Sequence, residues 1–210
     1  MAVLSISRQF GAGGKTLGEM VAKRLGYEFL HETMLDELAH KLDLGQEPTW
    51  QPDGSLLHIL SSLGPANFID RYVKDDNPDW DEKSHIEALT KVISGLAEMD
   101  NVVILGRGSQ FILRDHPETV RVLLVARLED RIEFMQKRYG FDRAQAEKMI
   151  KRADKRRAKF LRQFYPSEPN ESTLYHMVVN TSLLPLKRAA GQIFALVAGT
   201  VERKARPIWD

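Results

Sequence analysis

The chain contains no cysteine. Disulfides, thiolate metal sites and a cysteine nucleophile are thereby excluded, which agrees with an intracellular setting, the cytoplasm being the expected one. Neither sign of charge is in excess: thirty Lys and Arg stand against twenty-nine Asp and Glu, a formal net charge of +1. With no global field, neither nucleic acid nor a membrane surface is expected as a partner, and any electrostatic function must be local. No apolar run approaches the roughly 18 residues of a membrane span, and the N-terminus lacks a basic stretch followed by a long apolar one. The six histidines are scattered without ligand spacing. Internal repeats and low-complexity stretches are also missing. What remains is 210 residues, 43% of them hydrophobic, enough to bury one substantial core. A single domain over residues 1–210, carrying insertions, is the expectation.

Apolar periodicity organises the chain into alternating strands and helices. Ala2 to Ser7 is short, β-prone and followed by glycines, which predicts a buried strand ending at a tight turn. Leu17, Met20, Val21 and Leu25 make one stripe of a helix that Gly26 caps. Tyr27 to His31 reads as a short strand. Between about residues 40 and 84 the pattern gives way to Pro, Gly, Asp, Asn and Trp, an inserted, mobile segment on the substrate side. Regularity returns with a helix from about Ser84 to Met99. The runs Val102 to Leu105 and Val120 to Ala126 are continuously apolar, as strands covered on both faces of a parallel sheet are. A helix carrying Leu128, Ile132 and Met135 follows, then a long basic helix from about Arg143 to Phe164. Tyr175 to Asn180 is the last strand and Leu186 to Val197 the closing helix. This order predicts an α/β fold, a parallel sheet with helices on both faces.

The chemistry is concentrated in Gly11-Ala12-Gly13-Gly14-Lys15-Thr16, placed between the first strand and the first helix. In that context backbone N–H groups converge on an anion and the helix N-terminus adds partial positive charge. The P-loop string G-x-x-x-x-G-K-[ST] is met at Gly14, Lys15 and Thr16, with Gln9 in place of its first glycine. Lys15 would then meet the β and γ phosphates and the Thr16 hydroxyl would hold Mg²⁺. The competing reading is a turn that serves close strand-to-helix packing, with Lys15 solvated.

Two further basic features stand out. Lys151, Arg152, Lys155, Arg156, Arg157, Lys159 and Arg162 put seven cations into twelve residues, opposed only by Asp154. At helical spacing Arg152, Arg156 and Lys159 share a face, as closure over a polyphosphate requires; a solvated basic face or a weak nucleic-acid patch is the alternative. Arg107 follows a buried strand at its carboxyl end, where open α/β sheets bind ligands. Arg127 ends the next strand and either faces the same cleft or pairs on the surface with Glu129 or Asp130.

The opening stretch, Ile6-Ser7-Arg8-Gln9-Phe10-Gly11-Ala12-Gly13-Gly14-Lys15-Thr16-Leu17-Gly18, resembles that of the cytidylate kinase-like family, within the P-loop nucleoside monophosphate kinases. Val103-Ile104-Leu105-Gly106-Arg107-Gly108 resembles the strand end where cytidylate kinases carry Gly-Arg-Asp. Arg152-Ala153-Asp154-Lys155-Arg156-Arg157 is similar to their arginine-rich lid, and Val178-Val179-Asn180-Thr181-Ser182 to their final strand and the loop near adenine. The resemblance implies a P-loop three-layer fold with a five-stranded parallel sheet, an acceptor-side insert at about 40–84 and a lid at about 140–170. It implies transfer of the γ-phosphoryl group of ATP, with Mg²⁺, to a nucleoside monophosphate, CMP or dCMP first among them. Catalytic roles then fall to Lys15, Arg107, Arg152 and Arg156, with Arg107 on the acceptor phosphate. Nucleotide contacts fall to the loop, Arg8 and Arg157.

The chain departs from the family in three places. Against the form G-x-x-G-x-G-K-G-T, Gly14 falls on the lysine position and Lys15 on the glycine after it, while Arg8 takes the first glycine position. The phosphate cation is thus Lys15 in a shifted loop, Arg8, or a lid arginine; a nucleotide-binding regulatory module with little transfer activity is the alternative function. Gly108 replaces the acid of Gly-Arg-Asp, and His31-Glu32 stand where an Asp-Ser pair faces the acceptor. A carboxylate assisting Mg²⁺ or the acceptor must come from among Glu32, Asp36 and Asp154.

Overall fold

Alternation of apolar runs with amphipathic stretches builds the order β1 (Val3–Arg8), α1 (Gly14–Leu25), β2 (Glu28–Leu30), α2 (Glu32–Asp43), α3 (Glu82–Glu98), β3 (Val102–Leu105), α4 (Ser109–Ile112), β4 (Thr119–Val125), α5 (Leu128–Tyr139), α6 (Arg143–Leu161), β5 (Met177–Asn180) and α7 (Leu186–Glu202). These elements come from a computed structural model that describes residues 2–43, 45, 82–164 and 170–202. The five strands form one sheet in the order β2-β3-β1-β4-β5, and every pairing is parallel. The expected three-layer fold is the one observed.

Side chains of β1 alternate between the two faces, as the period of 2 in a strand requires. Leu4 and Ile6 pack under α1 and α7, against Leu17, Val21, Ala189 and Ile193. Val3 packs with Val102 and Ile104 beneath α2 and α3, against Leu35, Leu38, Leu89 and Ile93. Ser5, also fully buried, is satisfied by Ser109, Oγ to Oγ at 2.7 Å. A third cluster joins Phe10 to Ile132 and Met135 of α5 and to Ala146, Ile150 and Ala153 of α6. The α5–α6 hairpin is thereby anchored on the residue that follows β1 by two positions.

The order places β1 centrally, with β3 on one side and β4 on the other. The connection after β1 runs toward β2 and that after the adjacent β4 toward β5, on opposite sides, so the crevice between their carboxyl ends is the topological switch point. Strand boundaries fall within two residues of expectation. Helix α2 differs: residues 32–39 carry no assigned element in the sequence reading, and α2 runs through them to Asp43. The basic helix ends at Leu161, with Arg162 to Phe164 in turns. Most of the expected insert lies outside the described residues.

Candidate functional site

Residues 9–13 join β1 to α1. Gly11 and Gly13 have φ of 83° and 81°, the left-handed region that side chains resist. Space is tight there as well: a Cβ on Gly11 would lie 3.1 Å from Arg131 Cβ, and one on Gly13 2.8 Å from Leu186 Cδ2. Gln9 ties the loop to β4. Its N–H donates to Leu124 O at 3.0 Å, and its Oε1 accepts from Ala126 N–H at 2.9 Å. Thr181 Oγ1 donates to Ala12 O at 3.2 Å. A shallow cleft opens above the loop, lined by Arg8, Phe10, Gly11, Gly13, Gly14, Lys15 and Thr16, with Phe134, Met135 and Tyr139 of α5 opposite.

Beside the loop, Glu32 and Asp36 occupy i and i+4 of α2 and are buried. Each holds one arginine. Arg8 Nη2, at the end of β1, donates to Glu32 Oε2, and Arg107 Nη2, just past β3, donates to Asp36 Oδ2. His85 Nε2 stands 3.3 Å from the other Asp36 oxygen. Arg107 is presented on a left-handed backbone, φ 51°, between Gly106 at 84° and Gly108 at 71°. A left-handed non-glycine residue costs about 1–2 kcal/mol, and such conformations gather at functional sites. The left-handed backbone at Gly108 resists the family's acid, and a Cβ there would press on the Phe164 ring at 3.0 Å. The Arg107 guanidinium also sits over Phe160, 5.6 Å from the ring centroid.

The basic helix α6 meets the carboxyl end of β1 through two polar ties. Asp154 accepts from Phe10 N–H at 3.1 Å and from Arg131 Nη1 at 2.6 Å; the same Nη1 reaches Phe10 O at 3.1 Å. Arg157 donates to Ser7 Oγ at 2.9 Å and to Asn170 Oδ1 at 2.8 Å. Tyr175 bonds both Ser7 and Arg157. Burial lowers the Arg157 guanidinium from its ordinary value and raises the Tyr175 phenol.

The fold thus brings together Arg8, Gly11, Gly13, Gly14, Lys15 and Thr16 around one cleft, buries Ala12 in the core beneath it, and sets Arg107 at the neighbouring strand end. Arg152 and Arg156 are half-buried on α6, and Lys159 is exposed. Arg157 turns toward the sheet, on Ser7. Of the two readings of Arg127, the structure has the surface pair: an exposed side chain bonded to Asp130 at 2.7 Å. The three carboxylates Glu32, Asp36 and Asp154 each hold an arginine. Arg131, Tyr175 and His85 were not singled out in the sequence. Arg131 had one signal, a cation adjacent to the apolar stripe of α5; the other two had none that local pattern supplies.

A glycine loop between the first strand and first helix of a parallel 2-3-1-4-5 sheet, with arginines at adjoining strand ends, defines a P-loop kinase fold. The sequence pattern of the cytidylate kinase-like family matches residues 3–183, and the chain belongs to that family. A cytidylate kinase of Methanopyrus kandleri is 31% identical over 121 residues, which are 52% of this chain and 58% of that protein. The chain therefore aligns with little more than half of that relative's length. Among solved structures, an uncharacterised protein of Eubacterium ventriosum superposes with a TM-score of 0.69 at 18% identity, covering 94% of this chain and 98% of that one. The shikimate kinase of Acinetobacter baumannii, in complex with shikimate, gives 0.51 at 17% identity, covering 95% and 94%. These two likenesses are of fold.

Proposed function

We propose that this protein transfers the γ-phosphoryl group of ATP to a nucleoside monophosphate, with CMP or dCMP the first acceptor to try. The observation that carries the reading is Arg107, held in a left-handed turn at the end of β3 beside the glycine loop. A guanidinium there suits bidentate capture of an acceptor phosphate. Phosphoryl transfer needs little covalent help from protein; positioning and charge neutralisation do most of the work.

In this reading the loop amides and the start of α1 hold the ATP phosphates. Lys15, Arg152 and Arg156 bring positive charge to the transferring group, and Arg157 steadies α6 against β1. Mg²⁺ carried by a nucleotide takes most of its ligands from phosphate and water, and one or two oxygens from protein. The Thr16 hydroxyl, lining the cleft at the start of α1, is such an oxygen, and the ion would neutralise the β and γ oxygens. The chain acts as one domain, with residues 40–84 on the acceptor side and 140–170 as the lid. The expected cellular setting remains the cytoplasm, and the expected partner a small nucleotide.

The test is ATP-dependent turnover over a panel of monophosphates with Mg²⁺, falling in Arg107→Ala and Lys15→Ala. No turnover of any monophosphate by the intact protein refutes it. Gly14 at the lysine position favours a second reading, a nucleotide-binding regulatory module. ATP binding without product in a single-turnover assay would establish that instead.

A further inference from the structure

Position 14 begins helix α1 and is a glycine. A Cβ built there would lie 3.0 Å from Arg8 Cγ and 3.3 Å from Arg8 Cδ. The aliphatic stem of Arg8 therefore occupies the space into which a side chain at 14 would rise. The far end of Arg8 is located by a second glycine. A Cβ on Gly106, at the end of β3, would lie 2.6 Å from Arg8 Nη1 and 3.5 Å from Glu32 Oε2. The stem of Arg8 thus crosses the start of α1 and its head reaches the end of β3, next to Glu32.

β1 and β3 are adjacent in the sheet, so this head lies between the phosphate loop and the strand end that carries Arg107. Lys15, one position further along α1, is turned from Gly14 by about 100° around the helix axis. Arg8 and Glu32 are both nearly closed to solvent, at 11% and 3% side-chain exposure. A carboxylate and a phosphate present the same paired oxygens to a guanidinium.

We propose that Arg8 is the cation that meets the transferred phosphoryl group, and that Glu32 holds that place on Arg8 until nucleotide arrives. Binding then exchanges one anion for another on the same guanidinium, with no bond made or broken. The exchange releases the Glu32 carboxylate at the acceptor side of the cleft. It also explains how a loop with glycine at position 14 keeps a cation at the phosphates: the charge comes from the end of β1, across the loop, rather than from the first turn of α1. The inference rests on the kinase reading for the presence of a nucleoside triphosphate in the loop.

The probe is ATP with Mg²⁺, measured by calorimetry. Arg8→Met alone takes the guanidinium from the buried Glu32 carboxylate, so the decisive variant is Arg8→Met with Glu32→Gln, which removes both charges together, its fold checked by circular dichroism. It should weaken ATP at least tenfold more than Lys15→Met does. Glu32→Gln alone should tighten ATP several-fold, since the internal competitor is gone. Arg8→Gly with Gly14→Lys should recover most of the affinity that Arg8→Gly loses. A Lys15→Met loss equal to or larger than that of the double variant, or weaker ATP binding in Glu32→Gln, overturns the assignment of Arg8 and leaves the kinase reading standing. Absence of ATP binding by the intact protein overturns both.

Discussion

Removing Arg107 and removing Asp36 should have unequal costs, because the two halves of this ion pair are unequally buried. The Asp36 side chain is 2% exposed and that of Arg107 25%. Breaking a buried pair by deleting one partner costs about 3–5 kcal/mol, because the survivor is left desolvated. In Arg107→Met the survivor is the buried Asp36 carboxylate, which keeps the His85 imidazole at 3.3 Å; a loss of about 3 kcal/mol is expected. In Asp36→Asn the survivor is a guanidinium that reaches water and lies over Phe160, and the loss should be about 1–2 kcal/mol. The double variant removes both charges and should return to within about 1 kcal/mol of the parent. At roughly 2–4 °C per kcal/mol for a chain of this size, Arg107→Met should melt about 6–12 °C lower. Urea titrations of the two single variants and the double variant measure each quantity. Equal single losses that add in the double variant would refute the account.

Two other perturbations test the surroundings. His176 accepts from Arg121 N–H at 3.0 Å, and burial, then the nearby Arg121 charge, lowers its pKa. The fold thus favours neutral imidazole, so this stability is complete above the unfolded value of about 6.5 and declines as pH falls from there to the lowered folded value. Melting temperatures from about pH 7.5 to 4.5 should show that decline in the parent and lose its histidine component in His176→Asn. Asp154→Asn should cost about 1–3 kcal/mol by leaving the buried Arg131 without its counter-ion, and hydrogen exchange at the Phe10 amide should accelerate. An unchanged Phe10 amide would mean that Asp154 does not anchor α6 to the loop.

The sequence by itself determined the succession of strands along the chain, the glycine cap of α1 and the loop. These are near-neighbour properties. Continuous apolar runs predict β3 and β4, Gly26 caps α1 at φ 70°, and Gly11 and Gly13 take the left-handed turn that only glycine adopts at ease. Helix α2 escaped notice because buried Glu32 and Asp36 interrupt its apolar stripe. That same feature is what the tertiary structure explains. The two carboxylates lie on one helix face, and their arginines come from positions 24 and 71 residues away. Only the placement of β3 between β2 and β1 brings Arg8 and Arg107 to that face. The same holds for α6, whose cations look equivalent in sequence while Arg157 reaches Ser7, 150 residues earlier. Local pattern carries period and turn, but which charge neutralises which is decided by strand order, because an ion pair has direction and distance but no sequence separation.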